Sequence, residues 1–152
     1  MSTKDLVSLL HALTGVGAII ASVMAKDQID IPHQPAKSLG LGIFVAGFLL
    51  FVWSLLHLGA AFRGNVNPVT DRLVTTGPYR IVRHPVYLAM IVMAFGLALG
   101  LRSVLGMALT ALTFIPLAIY RARLEEQSLE DRFRDAWTAY RSRTPFILPL
   151  IY

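Results

Sequence analysis

The chain has 152 residues, 55% of them hydrophobic and only 15% charged, with a mean hydropathy of +0.61 and a formal net charge of +5. A soluble domain carries about 25% charged residues, whereas here four stretches, 6–25, 38–62, 84–101 and 103–120, contain no Asp, Glu, Lys or Arg at all. That pattern excludes an ordinary soluble globule, a disordered chain and a coiled coil, and predicts an all-α polytopic membrane protein, because about 20 apolar residues in a helix cross the hydrocarbon layer.

Cysteine is absent, so there is no disulfide framework, no thiolate nucleophile and no cysteine-based zinc site. In a soluble protein the basic balance would raise nucleic acid as a partner. In a chain this apolar it reads as the positive flanks of membrane spans, and no nucleic-acid role is expected.

Taken in chain order, the first predicted helix covers about 6–25. Lys4 precedes it as a signal peptide's basic region would, but the apolar run is longer than the 7–15 residues typical of such a segment. No small-x-small cleavage site precedes Lys26, so the helix is expected to be retained. The second predicted helix covers about 39–62.

Residues 63–85, RGNVNPVTDRLVTTGPYRIVRHP, form the longest and most polar connection. Thr76-Gly77-Pro78 is a turn signal, and Tyr79, Arg80, Arg83 and His84 follow it directly. Pro85 suits the first turn of a helix, where its missing N–H costs nothing. Tyr and Arg are at home at headgroup level. The clustering of Gly, Pro, Tyr and His at a helix start also suggests an anion or carboxylate held by free helix N–H groups.

The third predicted helix, about 86–101, is short. Its 16 residues rise about 24 Å, less than the roughly 30 Å hydrocarbon core. Gly96-x-x-x-Gly100 would let another helix approach closely. Gly100-Leu101-Arg102-Ser103 is the only break before the fourth predicted helix, about 103–121, so these two should form a tight hairpin. Residues 121–143 then carry Leu129, Phe133, Ala136, Trp137 and Tyr140 at helical spacing, which predicts a C-terminal amphipathic helix at the interface. Arg121 and Glu125 share a face of it. Glu126 is turned about 100° away, and adjacent acids just beneath an apolar span need a cation facing them.

Four spans place both termini on one side, together with the 63–85 connection. Eleven of the 14 basic residues lie on that side and three, Lys26, Lys37 and Arg102, on the other. Both termini are therefore expected in the cytoplasm, in an inner or plasma membrane. His11 and His57 fall toward the same side and are expected to be hydrogen-bonding residues of the bundle. No two histidines are spaced i, i+4, so no metal site is expected.

The run Leu73-Val74-Thr75-Thr76-Gly77-Pro78-Tyr79-Arg80-Ile81-Val82-Arg83-His84-Pro85-Val86-Tyr87-Leu88 resembles the integral-membrane methyltransferases typified by isoprenylcysteine carboxyl methyltransferase, and the related phospholipid methyltransferases. Their core reads approximately G-x-Y-x-x-x-R-H-P-x-Y. After an apolar hairpin come R-x-x-x-E-E, an aromatic-rich helix and P-x-x-x-P, matched here by Arg121-x-x-x-Glu125-Glu126, by Leu129, Phe133, Trp137 and Tyr140, and by Pro145-x-x-x-Pro149. The match covers about residues 72–149 and divides a single membrane domain, 1–152, into an N-terminal helix pair, 6–62, and a motif-bearing half, 63–152.

The resemblance implies S-adenosylmethionine as methyl donor. Leu73, Val74, Gly77, Tyr79, His84, Pro85 and Tyr87 would line its pocket, and Arg121, Glu125 and Glu126 would meet its charged groups. Arg83, His84, Arg121 and Arg143 are the candidates for a part in the chemistry. The implied acceptor is lipophilic: an isoprenylcysteine-like carboxylate, a phospholipid amine or a small thiol. The size also fits a four-helix transporter acting as a dimer, but the spans hold no Asp or Glu of the kind proton coupling requires. A third possibility is a non-catalytic protein on the same scaffold, against which an intact His84, Glu125 and Glu126 argue. Association with a second copy is compatible with all three.

Overall fold

The computed structural model describes residues 3–25, 29–59 and 73–148, the side chain of Lys4 excepted. Helix α1 spans Thr3–Met24 and α2 spans His33–Leu58. A 3₁₀ turn, Gly77–Arg80, leads to α3, Pro85–Gly100. Then α4, Val104–Leu109, a π-helical turn, Thr110–Phe114, and α5, Ile115–Arg141, run end to end as one rod. No β-strand occurs among the described residues. The all-helical membrane architecture expected from the charge pattern holds. Three helices, α1, α2 and the 104–141 rod, are long and apolar enough to cross a membrane, and α3 is a shorter apolar helix.

Two sequence expectations change in detail. The amphipathic segment is not a separate helix but continues from the fourth apolar stretch without a break, changing direction only at Arg134, whose φ of 43° is not helical. Helix α2 starts at His33, six residues before the expected 39, because Pro35 sits in the first turn, where its missing N–H has no helical partner to lose. Its expected last residues, 60–62, lie outside the described residues, as do the boundary at 62/63, Lys26, Arg63, Arg72 and Pro149.

The side-chain distribution is that of a bundle in lipid. Leu9, Leu13, Ile20, Leu39, Leu49, Leu56 and Leu112 are exposed on the outside. The interior is built from small residues instead, among them Ala18, Ala36, Ala89, Ala98, Ala118 and Ala122, all at most 3% exposed. Where lipid is as apolar as leucine, helices associate by close backbone approach, which small residues allow. At the α2–α3 contact a Cβ on Gly40 would strike the backbone of Gly100 and Gly96, and one on Gly47 would strike Met93 and the Ala89 carbonyl. The close packing expected of Gly96-x-x-x-Gly100 is thus present, with α2 as the partner. Buried hydroxyls bond back into their own helices, as Ser22 to the Ala18 carbonyl (2.7 Å) and Thr110 to that of Gly106 (2.8 Å), so no polar group meets lipid unsatisfied there.

Pro116 accounts for the π turn. It has no N–H for the carbonyl four residues back, and the ladder shifts to a wider bond, Ile115 N–H to the Thr110 carbonyl. At the far end of the bundle Arg102 ties the hairpin turn to the α1–α2 connection. Its Nε and Nη2 both donate to the Ile29 carbonyl (3.1 and 2.7 Å), and Ile29 N–H donates back to the Arg102 carbonyl (2.8 Å).

Candidate functional site

At the opposite end, the 3₁₀ turn and the start of α3 meet α5 and the chain beyond it. Gly77 opens the turn with a φ of +58°, and a Cβ there would run into the His57 ring, so both conformation and space call for glycine. The turn buries Pro78 and Tyr79. The Tyr140 hydroxyl donates to the Tyr79 carbonyl at 2.6 Å, and Trp137 packs edge-on to Tyr140 with ring centroids 5.7 Å apart.

The chain after α5 folds back as a strap. Arg83 N–H donates to the Pro145 carbonyl (2.8 Å) and His84 N–H to that of Phe146 (3.1 Å). The strap thus occupies the amides of Arg83 and His84, the two residues just before the first residue of α3, Pro85. The Phe146 ring stands edge-on to His84 at 5.0 Å, and Ile147 packs with Tyr87, Ala118 and Ala122.

Charged side chains fill the space between. Arg83, 6% exposed, donates from Nε to Glu126 Oε1 (2.7 Å) and from Nη1 to the carbonyls of Arg141 (3.0 Å) and Thr144. His84 Nε2 lies 3.2 Å from the same Glu126 oxygen, and its Nδ1 lies 3.8 Å from Glu125 Oε2. The Tyr87 hydroxyl donates to Glu125 Oε1 at 2.5 Å. Arg121 Nε is 3.9 Å from that oxygen, the i, i+4 pair expected from sequence, and the Arg121 guanidinium lies 5.9 Å from the centre of the Tyr87 ring.

The two acids, which lie beyond the apolar crossing, differ in character. Burial pushes Glu126 up, but His84 and Arg83 outweigh it and hold its carboxyl below the ordinary range. For Glu125 burial wins over His84, the Tyr87 hydrogen bond and Arg121, so its carboxyl sits above the ordinary range. Glu126 is a satisfied anion in a clamp. Glu125 is a carboxylate still short of positive charge.

Of the residues expected at the site, Tyr79, Arg83, His84, Pro85, Tyr87, Arg121, Glu125 and Glu126 are gathered here. Leu73 and Val74 lie half-buried in the segment before the turn. Arg143 is not gathered: it is exposed and bonds back to the Ala139 carbonyl at 2.9 Å. Within the amphipathic stripe Trp137 and Tyr140 are buried, Leu129 and Phe133 half-buried, and Ala136 is exposed. The buried polar atoms Tyr79 Oη, Trp137 Nε1 and His11 Nε2 have no hydrogen-bond partner among the described residues. Burial, with Glu125 adding to it, raises the Tyr79 phenol above its ordinary range, so it remains a donor. His11 is expected from sequence as a hydrogen-bonding residue of the bundle, whereas Phe114 in the π turn and the strap carbonyls have no signal there. For His11 the available signal is an uncharged span with one histidine near the end that meets the site.

Known proteins give a consistent picture. The profile of the phospholipid methyltransferase family matches residues 36–136. The chain is 29% identical over 116 aligned residues to phosphatidylethanolamine N-methyltransferase B of Dictyostelium discoideum, covering 74% of this chain and 58% of that protein. It is 28% identical over 154 aligned positions to protein-S-isoprenylcysteine O-methyltransferase of Schizosaccharomyces pombe, covering 96% of this chain and 65% of that one. The chain thus spans less than two thirds of the length of either relative. No solved structure matches it.

Proposed function

We infer the function from one premise: the chain belongs to the phospholipid methyltransferase family. We propose that it is a membrane-embedded methyltransferase that uses S-adenosylmethionine and acts on a lipophilic acceptor, of the phospholipid-amine or isoprenylcysteine kind that the relatives' names describe. The whole chain is read as one membrane unit, with the site end and both termini in the cytoplasm on the basic-residue asymmetry of eleven to three.

The observation that carries this reading is the Glu125 carboxylate, fixed by Tyr87 at 2.5 Å inside a clasp of loop, helix and strap, and still short of positive charge. The donor set fits the methyl donor. Glu125 suits an ammonium through charge-assisted hydrogen bonds, and the Tyr87 or Tyr79 ring suits a sulfonium or a purine. The buried donors Tyr79 Oη and Trp137 Nε1, without partners among the described residues, suit ribose oxygens or a carboxylate. Arg83 has Nε and Nη1 committed to the clamp, so Arg121 is the better partner for an anionic group. Glu126 acts indirectly, by holding His84.

When bound, S-adenosylmethionine supplies an electrophilic methyl group. The chain's own contribution is to orient the charged groups with Glu125 and Arg121 and to close the loop and strap over them. Alignment of this kind supplies most of what an in-line displacement needs. The site lies at the edge of the bundle where apolar acceptors partition, so a lipid headgroup can reach it without leaving the membrane.

Glu125→Gln keeps the size of the side chain and removes its charge. It is expected to weaken donor binding by more than about tenfold, or roughly 1.4 kcal/mol, in calorimetric titration of the detergent-solubilised protein. Unchanged affinity would take Glu125 out of the site.

A further inference from the structure

Helix α1 lies outside the motif that carries the family resemblance, yet it sends one polar side chain to the site. His11 is 2% exposed. Its ring stacks on Phe114 at 4.9 Å with a 20° interplanar angle, and stands edge-on to Tyr87 at 5.5 Å. Two features of the backbone make this possible. The π turn carries Phe114, and residue 15, one turn on from His11, is glycine; a Cβ there would come within 2.9 Å of the Phe114 ring. Three helices thus build a seat for a single imidazole in an otherwise apolar place.

The seat also sets the tautomer. The only hydrogen-bonding neighbour of Nδ1 among the described residues is Arg121 Nη1, at 3.5 Å. A guanidinium donates and cannot accept, so Nδ1 must accept and the proton sits on Nε2. That Nε2–H is buried and has no acceptor among the described residues. A buried donor left without an acceptor is costly, and a packed seat that retains one calls for an acceptor that arrives with a ligand. Its position singles out which ligand. His11 shares Tyr87 and Arg121 with Glu125, so it stands beside the carboxylate read as the donor's anchor, on the side contributed by the N-terminal half of the chain.

We propose that His11 is a positioning residue for the methyl acceptor. Its Nε2–H holds an anionic oxygen of the lipid headgroup and so presents the neighbouring nucleophile to the methyl group. Two headgroups carry that chemistry, a phosphodiester and a carboxylate. With its proton on Nε2 and Arg121 on Nδ1, His11 is not the base that deprotonates the acceptor. The inference rests on the methyltransferase reading above.

The test is steady-state methyl transfer by the purified full chain in detergent, in two arms: phosphatidylethanolamine for the phosphodiester and an S-isoprenylated cysteine for the carboxylate. Donor affinity is measured alongside by calorimetry. His11→Phe keeps the ring stack and removes the donor; His11→Gln returns an N–H. The expected result is a KM for the methylated acceptor at least tenfold higher in His11→Phe, with donor Kd and kcat little changed and most of the loss recovered in His11→Gln. The arm that is methylated identifies the headgroup. An unchanged acceptor KM in His11→Phe, or a donor Kd that rises in step with it, would overturn the proposal. Donor binding by the wild-type chain with transfer in neither arm would overturn it while leaving the donor site standing. No donor binding in folded wild-type protein would remove the underlying reading and the proposal together.

Discussion

Replacing Arg83 with alanine is expected to destabilise the protein by about 3–5 kcal/mol, the range for removing one partner of a buried ion pair. The side chain is 4% exposed and serves three acceptors at once: Glu126 on α5 and the carbonyls of Arg141 and Thr144 at the root of the strap. Its loss leaves a buried carboxylate facing only His84 and two carbonyls unpaired. The root of the strap should then loosen, while the main-chain amides of residues 83 and 84 and the packing of Phe146 and Ile147 still hold its far part. Thermal unfolding in detergent, with limited proteolysis after residue 141, measures both effects. Arg83→Lys should fall between, because an ammonium keeps the charge but cannot reproduce the planar fork. Removing both charges with Arg83→Met and Glu126→Leu should recover much of the loss, since an apolar pair leaves no uncompensated charge. An Arg83→Ala protein as stable as the parent would show that the clamp is not structural.

The same clamp predicts a pH dependence. The Glu126 carboxyl is held below its ordinary range in the folded protein, so the stability it contributes is present above the ordinary carboxylate value and is lost as pH falls through the lowered one. Glu125, held above its ordinary range, opposes folding when ionised and ceases to do so on acidification. The Arg83 variants should flatten the Glu126 part of that profile.

The second large effect is expected at the α2–α3 contact. A Cβ on Gly96 would lie 2.5 Å from the Phe44 amide nitrogen and 2.8 Å from the Gly40 carbonyl oxygen. Both are main-chain atoms, which have no rotamer to give, so Gly96→Ala must push the helices apart. Overpacking costs about 1–3 kcal/mol and occasionally more, and a contact against backbone belongs at the upper end. Gly42 on the same α2 is the control: a Cβ there meets nothing within 4 Å, and alanine is the better helix former by about 1 kcal/mol. Gly42→Ala should therefore be neutral or slightly stabilising. Equal melting temperatures for the two variants would contradict the close approach.

The architecture was legible in the sequence because membranes enforce it. Uncharged stretches, the break at Leu101–Ser103 and the paired glycines 96 and 100 each follow from what a bilayer tolerates. The residues of the site were legible as types, since His84, Tyr87, Arg121, Glu125 and Glu126 carry the family resemblance. Their division of labour was not. That Glu126 is neutralised by Arg83, 43 residues away, while Glu125 is left to Tyr87, depends on how α3 crosses α5. The strap carbonyls that occupy Arg83 are main-chain groups, and main-chain direction leaves no mark on side-chain identity. The π turn follows from Pro116, yet a proline in an apolar run equally permits a kink. His11 was legible as a hydrogen-bonding residue of its span, and the role proposed for it depends on the room that Gly15 and Phe114 make for its ring, which spacing alone does not show.

The central claim is that the clasped end of the bundle binds a methyl donor through Glu125 and delivers its methyl group to a lipid. The most direct measurement is transfer of a labelled methyl group from S-adenosylmethionine to total membrane lipid, by the purified chain and by its Glu125→Gln variant at equal folded concentration. The account predicts label in the lipid fraction with the parent and its loss with the variant. Equal labelling by both proteins, or none by either in well-folded protein, would contradict it.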